Sequence, residues 1–132
     1  MGYTHYYHKD GCDNFTNQEW DGVVEFTKKA IEKTNVPMAG GDGTGDPILT
    51  DEEISINGVG NDSHETFYLT KIKHRDFEFC KTVRKPYDEV VCAISWYLKK
   101  NLPNKIKIGS DGEFGNTEWK RGRSLYKRAM ES

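Results

Sequence analysis

Phe79-Cys80-Lys81-Thr82-Val83-Arg84-Lys85-Pro86-Tyr87-Asp88 is the stretch on which the reading of this chain turns. Its first half reads as the end of a strand, with Phe77 and Phe79 expected to point inward. Its second half reads as the start of a helix, with Pro86 at the first helical position. Three cations, a hydroxyl and a phenol crowd into that junction. A helix start offers unused backbone N–H groups and the positive end of the helix dipole, so it suits an anion. Lys85 at the cap supplies no acceptor of its own. An anion there would meet those N–H groups plus Lys81, Thr82 and Arg84, with Arg84 able to grip phosphate or carboxylate through two N–H groups. Asp88 and Glu89, in the first helical turn, are the competitors for the same positive charge.

Working outward, residues 86–100 carry a helical stripe of Tyr87, Val90, Val91, Ile94, Tyr97 and Leu98. Pro103 stops it, 105–108 reads as a strand, and Ser110-Asp111-Gly112 turns the chain into a last helix near 117–130. In that helix Trp119, Tyr126 and Met130 are expected in the core, and Gly122 is expected to allow close packing. Toward the N-terminus, residues 3–8 alternate as a strand, with Tyr3, His5 and Tyr7 on one face and Thr4, Tyr6 and His8 on the other. Thr16 and Glu19 form a capping box, and Phe15 and Trp20 a hydrophobic staple, at the start of the first helix. Residues 38–50 read as a flexible Gly-rich loop, which lacks the Gly-Lys-Ser/Thr ending of a phosphate loop. Ile54–Ile56 and Thr66–Thr70 read as two more strands, joined by a turn at Asn57-Gly58 or Gly60-Asn61-Asp62. The order β-α-β-β-β-α-β-α favours an α+β domain spanning 1–132, with about three helices on one face of a largely antiparallel sheet.

The chain of 132 residues has a net charge of −2 that hides an asymmetry. Residues 1–70 hold four Lys/Arg against thirteen Asp/Glu, and residues 71–132 hold fifteen against eight. The acidic first half argues against a nucleic-acid binder, although Lys120, Arg121, Arg123, Lys127 and Arg128 give the last helix a basic surface. The two halves would neutralise each other within the fold or between copies in a homo-oligomer. The three cysteines support neither a disulfide framework nor a zinc knuckle. With no apolar run of spanning length and no signal pattern, the expectation is a soluble cytoplasmic protein with no membrane partner.

Met1-Gly2-Tyr3-Thr4-His5-Tyr6, His64-Glu65-x-Phe67, the Phe79–Asp88 run and Ser110-Asp111-Gly112 before a Trp-containing helix occur in that order. In these motifs the chain resembles a family of small proteins without an assigned activity found in bacteriophages, bacteria and large viruses. Members of that family often carry Trp where Tyr7 stands and Ala where Val83 stands. The resemblance implies one compact domain and a phage or microbial source, which would place a phage-encoded chain in the host cytoplasm.

The chemistry-bearing residues suggest a small anionic partner. Tyr6, His64, Lys81, Thr82, Arg84, Lys85 and Asp111 are the candidate contacts for a phosphorylated or nucleotide-like ligand, with an aromatic ring stacking on a base. Together with the phage-like resemblance, this points to sequestration of a host nucleotide signal. A hydrolase or phosphodiesterase is the alternative, with His5 as base and Glu65 as its orienting carboxylate. A nucleic-acid or protein interaction module is the third reading. His74, Asp76 and Glu78 alternate on one strand face but read as its solvated side, so neither a metal nor another cofactor is expected.

Overall fold

The computed structural model describes residues 3–9, 11–73, 75, 77–115 and 117–131. Among these described residues there are three α-helices and seven strands, all strand pairs antiparallel, in an α+β arrangement. Strand β1 (Thr4–His8) precedes helix α1 (Asn17–Lys33), which starts at the expected capping box with both hydrogen bonds present. The staple also forms: the Phe15 and Trp20 rings lie 5.7 Å apart, and both are buried.

The expected loop at 38–50 is more structured than its glycines suggest. It contributes strands β2 (Met38–Ala39) and β3 (Ile48–Leu49), with a short 3-10 turn between them. Both pair with β4 (Glu53–Gly58). Two-residue strands are too short for periodicity to reveal. Asn57 and Gly58 stay inside β4, and a turn at Gly60–Asp62 leads to β5 (Phe67–Thr70), which also pairs with β4. Phe67 and Leu69 face the core as expected.

A second sheet has the order β6 (Phe77–Lys81), β1, β7 (Lys107–Ser110). Helix α2 (Asp88–Asn101) lies between β6 and β7 in sequence, and α3 (Thr117–Met130) closes the chain. The antiparallel strands thus form two sheets rather than one. Side chains from both sheets and all three helices join one apolar core. Gly122 carries α3 against α2: a Cβ built there would lie 2.4 Å from Cys92 Cβ. Trp119 is buried, but Met130 is 50% exposed at the end of α3, against the expected core position. No helix among the described residues is long and apolar enough to cross a membrane.

The faces of the three-stranded sheet follow from register. Tyr3, His5 and Tyr7 share one face as expected, and that face points into the core. Cys80 lies opposite His5, and Glu78 opposite Tyr7, so these two residues share the inner face. Phe77 and Phe79 therefore point outward, 42% and 55% exposed, contrary to the sequence reading. A one-residue change of phase moves every side chain of a strand to the other face. The buried Lys9 ammonium pairs with Glu78, which lets that carboxylate sit on the inner side.

Candidate functional site

The β6–α2 junction is built differently from a simple helix start. Lys85 N–H donates to Thr82 O (2.9 Å), closing a turn whose two central residues, Val83 and Arg84, have φ of 46° and 58°. Positive φ at both positions marks a type I′ turn, a conformation dominated by Gly, Asn and Asp. For a β-branched valine it carries strain of about 1–2 kcal/mol. A second turn follows, with Asp88 N–H donating to Lys85 O (2.9 Å). The helix consequently begins at Asp88, two residues later than Pro86 suggests. Glu89 N–H reaches Pro86 O, and the Val90 and Val91 N–H groups reach Tyr87 O. The first four N–H groups of α2 are thus taken by the chain's own carbonyls, which corrects the expectation of an open backbone anion site. Binding of an anion here falls to side chains.

Behind the junction lies a buried polar chain. Ser110 Oγ receives the Gly112 N–H (3.0 Å) and the Trp119 Nε1–H (3.2 Å). Both of its lone pairs are then in use, so the hydroxyl hydrogen points to His5 Nδ1 (2.9 Å). This sets the tautomer: Nε2 carries the ring hydrogen and donates it to Asp88 Oδ1 (2.6 Å). Asp88 Oδ1 also accepts from Thr82 Oγ1 (2.6 Å), and Oδ2 from the Cys92 thiol (3.3 Å). His5 is fully buried, its ring held edge-on by Tyr3 and Trp119 at centroid distances of 5.0 and 5.1 Å. The Ser-His-Asp order is that of a nucleophile, its base and an orienting carboxylate. Ser110, however, has no lone pair left for attack in this geometry.

Asp88 is the outlet of this chain, its side chain 13% exposed. It lines a cleft of about 200 Å³ together with Tyr3, Arg84, Lys85, Pro86, Glu89 and Arg121. The Arg84 guanidinium sits over the Tyr3 ring, 4.3 Å from its centroid. Lys85 Nζ reaches Asn61 O (3.0 Å), and Glu89 Oε2 accepts from Thr34 Oγ1 (2.6 Å). Both carboxylates of the cleft thus have donors of their own, while three cations line its walls. A larger hollow beside β4 and β5 is lined by Asp51, Glu52 and Glu53, which repel phosphate.

Of the sequence-predicted contacts, the structure brings Arg84 and Lys85 into the cleft. Thr82 is buried behind it on Asp88. Tyr6 lies on the outer sheet face, its hydroxyl donating to Asp111 Oδ1 (2.7 Å), and Asp111 Oδ2 accepts from Thr4 N–H (3.1 Å). The Lys81 N–H is bound by Glu65 Oε1 (2.8 Å), and His64 is exposed with its N–H on Asn57 Oδ1 (3.0 Å). Glu65 therefore fastens the backbone of β6 and does not orient His5; that carboxylate is Asp88. His74 and Asp76 lie outside the described residues. Sequence reasoning missed Tyr3, Cys92 and the pairing role of Asp88, and noted Arg121 only as part of a basic helix. The Asp88–Cys92 spacing of i, i+4 on α2 was the available signal.

Burial also sets the acidity of the neighbours. Desolvation pushes the Cys80 thiol up to about 12 and raises the Tyr87 phenol far above its ordinary range. The Tyr87 hydroxyl donates to Glu65 O (2.6 Å). Neither group is a nucleophile or base near neutral pH. No protein-family model matches this chain, and no curated protein or solved structure does.

Proposed function

We propose that the protein binds a small phosphorylated, nucleotide-like ligand in the cleft between the β6–α2 junction and α3. The observation that carries this reading is the meeting of Arg84, Lys85 and Arg121 on one small cleft, with Arg84 set there by a strained turn. Strain of this kind persists where the surrounding structure holds it, and it clusters at ligand clamps. The phage-like resemblance makes a host nucleotide signal the natural ligand class, and sequestration in the host cytoplasm the natural role. Self-association belongs to the same proposal, supported by the exposed Phe77 and Phe79 rings, and sedimentation at two concentrations tests it.

Calorimetric titration with inorganic phosphate, mononucleotides, cyclic nucleotides and NAD-derived nucleotides tests the binding. Arg84→Ala and Arg121→Ala should each weaken it about 10- to 100-fold, the loss of about 1.5–3 kcal/mol expected for a charge-assisted hydrogen bond. Absence of heat with every phosphorylated probe sinks the reading. A hydrolase acting on the same ligand is the second reading, favoured by the Asp88 carboxylate, which opens on the cleft with His5 behind it and could act as a general base toward water. Chromatography after incubation separates the two: intact ligand supports binding, and conversion supports catalysis.

A further inference from the structure

We infer that His5, Asp88 and Cys92 form a binding site for a divalent transition metal of the zinc class. Three donor types that such ions take meet at one point: an imidazole nitrogen, a thiol sulfur and a carboxylate oxygen, all within 4.8 Å of one another. Asp88 and Cys92 stand four residues apart on α2, hence on one face of it, and His5 reaches them from β1. The sulfur lies 3.5 Å from His5 Nε2 and 3.3 Å from Asp88 Oδ2. A tetrahedral ion with usual bond lengths holds a nitrogen and a sulfur ligand about 3.6 Å apart and a sulfur and an oxygen ligand about 3.5 Å apart. The nitrogen–sulfur separation is already present, and Oδ2 lies within about 0.2 Å of its distance from the sulfur. Nε2 is now held by the other oxygen, Oδ1, at 2.6 Å, so the Asp88 carboxylate must turn that oxygen off the ring and leave Oδ2 as the ligand, about 3.3 Å from a metal-bound nitrogen.

The donor set also selects the metal. A thiolate ligand disfavours magnesium and calcium, and one imidazole with one thiolate and one carboxylate suits zinc or cobalt(II). Ser110 holds the far side of the imidazole at 2.9 Å, the outer contact that fixes the ring of a metal-bound histidine. Gly122 supports the thiol from the other side, since it lets α3 approach Cys92 closely. Binding is balanced as follows. The ion enters as M²⁺, the Cys92 S–H bond breaks, and its proton leaves to solvent. The imidazole stays neutral, its hydrogen moving from Nε2 to Nδ1, where Ser110 Oγ accepts it in place of the longer bond from Trp119 Nε1–H and turns its own hydrogen away. Three protein ligands leave a fourth position, and Asp88 connects the site to the cleft. This inference is independent of the phosphorylated ligand.

Cobalt(II) is the probe. Chelator-treated full-length protein titrated with Co²⁺ should develop tetrahedral visible bands and a near-ultraviolet thiolate-to-cobalt band, saturating at one equivalent and displaced by Zn²⁺. Asp88→Asn should weaken Co²⁺ binding at least tenfold, and Cys92→Ser should abolish the thiolate band. The band should persist in the Cys12→Ser/Cys80→Ser double variant, which decides the matter even if a substitution in the cluster unfolds the chain. Folded wild-type protein showing no thiolate band at millimolar Co²⁺ overturns the site, as does a band lost in the double variant.

Discussion

The two faces of the β6-β1-β7 sheet depart from the usual division between apolar and polar residues. A sheet packed on one side normally turns apolar residues to the core and polar ones to water. Here the inner face bears His5 and Ser110 among the apolar Tyr7, Cys80 and Ile108, and the outer face bears Tyr6, Phe77 and Phe79. The inner polar groups are tolerated because each is partnered, from Ser110 through His5 to Asp88. The outer aromatics are tolerated because they shelter one another: Tyr6 stacks on Phe77 at 6.1 Å, and His8 and Phe79 lie 4.7 and 6.2 Å from the same ring. The difference separates two kinds of residue. The inner face is bound into the core, and the outer face is largely open to solvent.

The sharpest way to break this comparison is His5→Ala. It removes the middle of the inner chain and leaves Asp88 and Ser110 without their shared partner. Two buried polar groups left short of a partner, together with the cavity of the lost ring, cost about 3–5 kcal/mol, to be read from urea unfolding. A loss below about 1 kcal/mol would mean that the inner chain is no more structural than the outer row.

Alkaline pH probes the same face without a mutation. The folded-state acidity of Cys80 moves from 9.0 to about 12, and burial raises Tyr7 as well. Above about pH 9 the unfolded chain releases these protons before the folded one does, so stability is full below that pH and falls as pH rises toward about 12. The urea midpoint should decrease steadily across this window, and Cys80→Ala should flatten the slope. A midpoint constant to pH 11 would remove the desolvation argument for the inner face.

Gly122→Ala tests the packing that supports this face. Alanine favours a helix by about 1 kcal/mol over glycine. The new methyl would nevertheless lie 2.4 Å from Cys92 Cβ and 3.1 Å from its backbone carbon. Overpacking of this degree costs about 1–3 kcal/mol, so a net loss of about 1–2 kcal/mol is expected in thermal or urea unfolding.

How much of this was legible in the sequence depended on distance along the chain. The start of α1 was legible because Thr16, Glu19, Phe15 and Trp20 act within five residues of one another. The inner face of β1 and the close approach at Gly122 were legible from alternation and from one residue type. The His5–Asp88 and His5–Ser110 contacts span 83 and 105 residues, and only strand register brings them together. The facing of Phe77 and Phe79 failed for a related reason. Two phenylalanines outweigh one glutamate in a local count, but Glu78 is neutralised by Lys9 from 69 residues away. At Pro86 the local rule for a first helical residue gave way to a turn that spends the helix's first N–H groups on carbonyls.

Val83→Gly links the strained turn to the cleft it shapes. Removing the side chain relieves about 1–2 kcal/mol of left-handed strain and costs about 0.5–1 kcal/mol of chain entropy. A net stabilisation of up to about 1.5 kcal/mol is expected. If the turn positions Arg84 for a ligand, phosphorylated probes should bind this more stable variant more weakly. A loss of about 0.5–1 kcal/mol, the entropy cost alone, would show that the positive φ at Val83 carries no strain.

Phe79→Ser is the smallest expected effect and completes the contrast with Cys80, its neighbour on the opposite face. Phe79 is 55% exposed, so its removal should change monomer stability by no more than about 0.5 kcal/mol. The comparison is sharpened by running the same unfolding curve at low and high protein concentration. A neutral result at both means that the outer row contributes nothing to folding and that its apolar surface must be explained by what it meets. A loss that appears only at high concentration means that a second copy covers this face in solution. A loss above about 1 kcal/mol at both concentrations would return Phe79 to the monomer's own energetics and remove the distinction between the two faces.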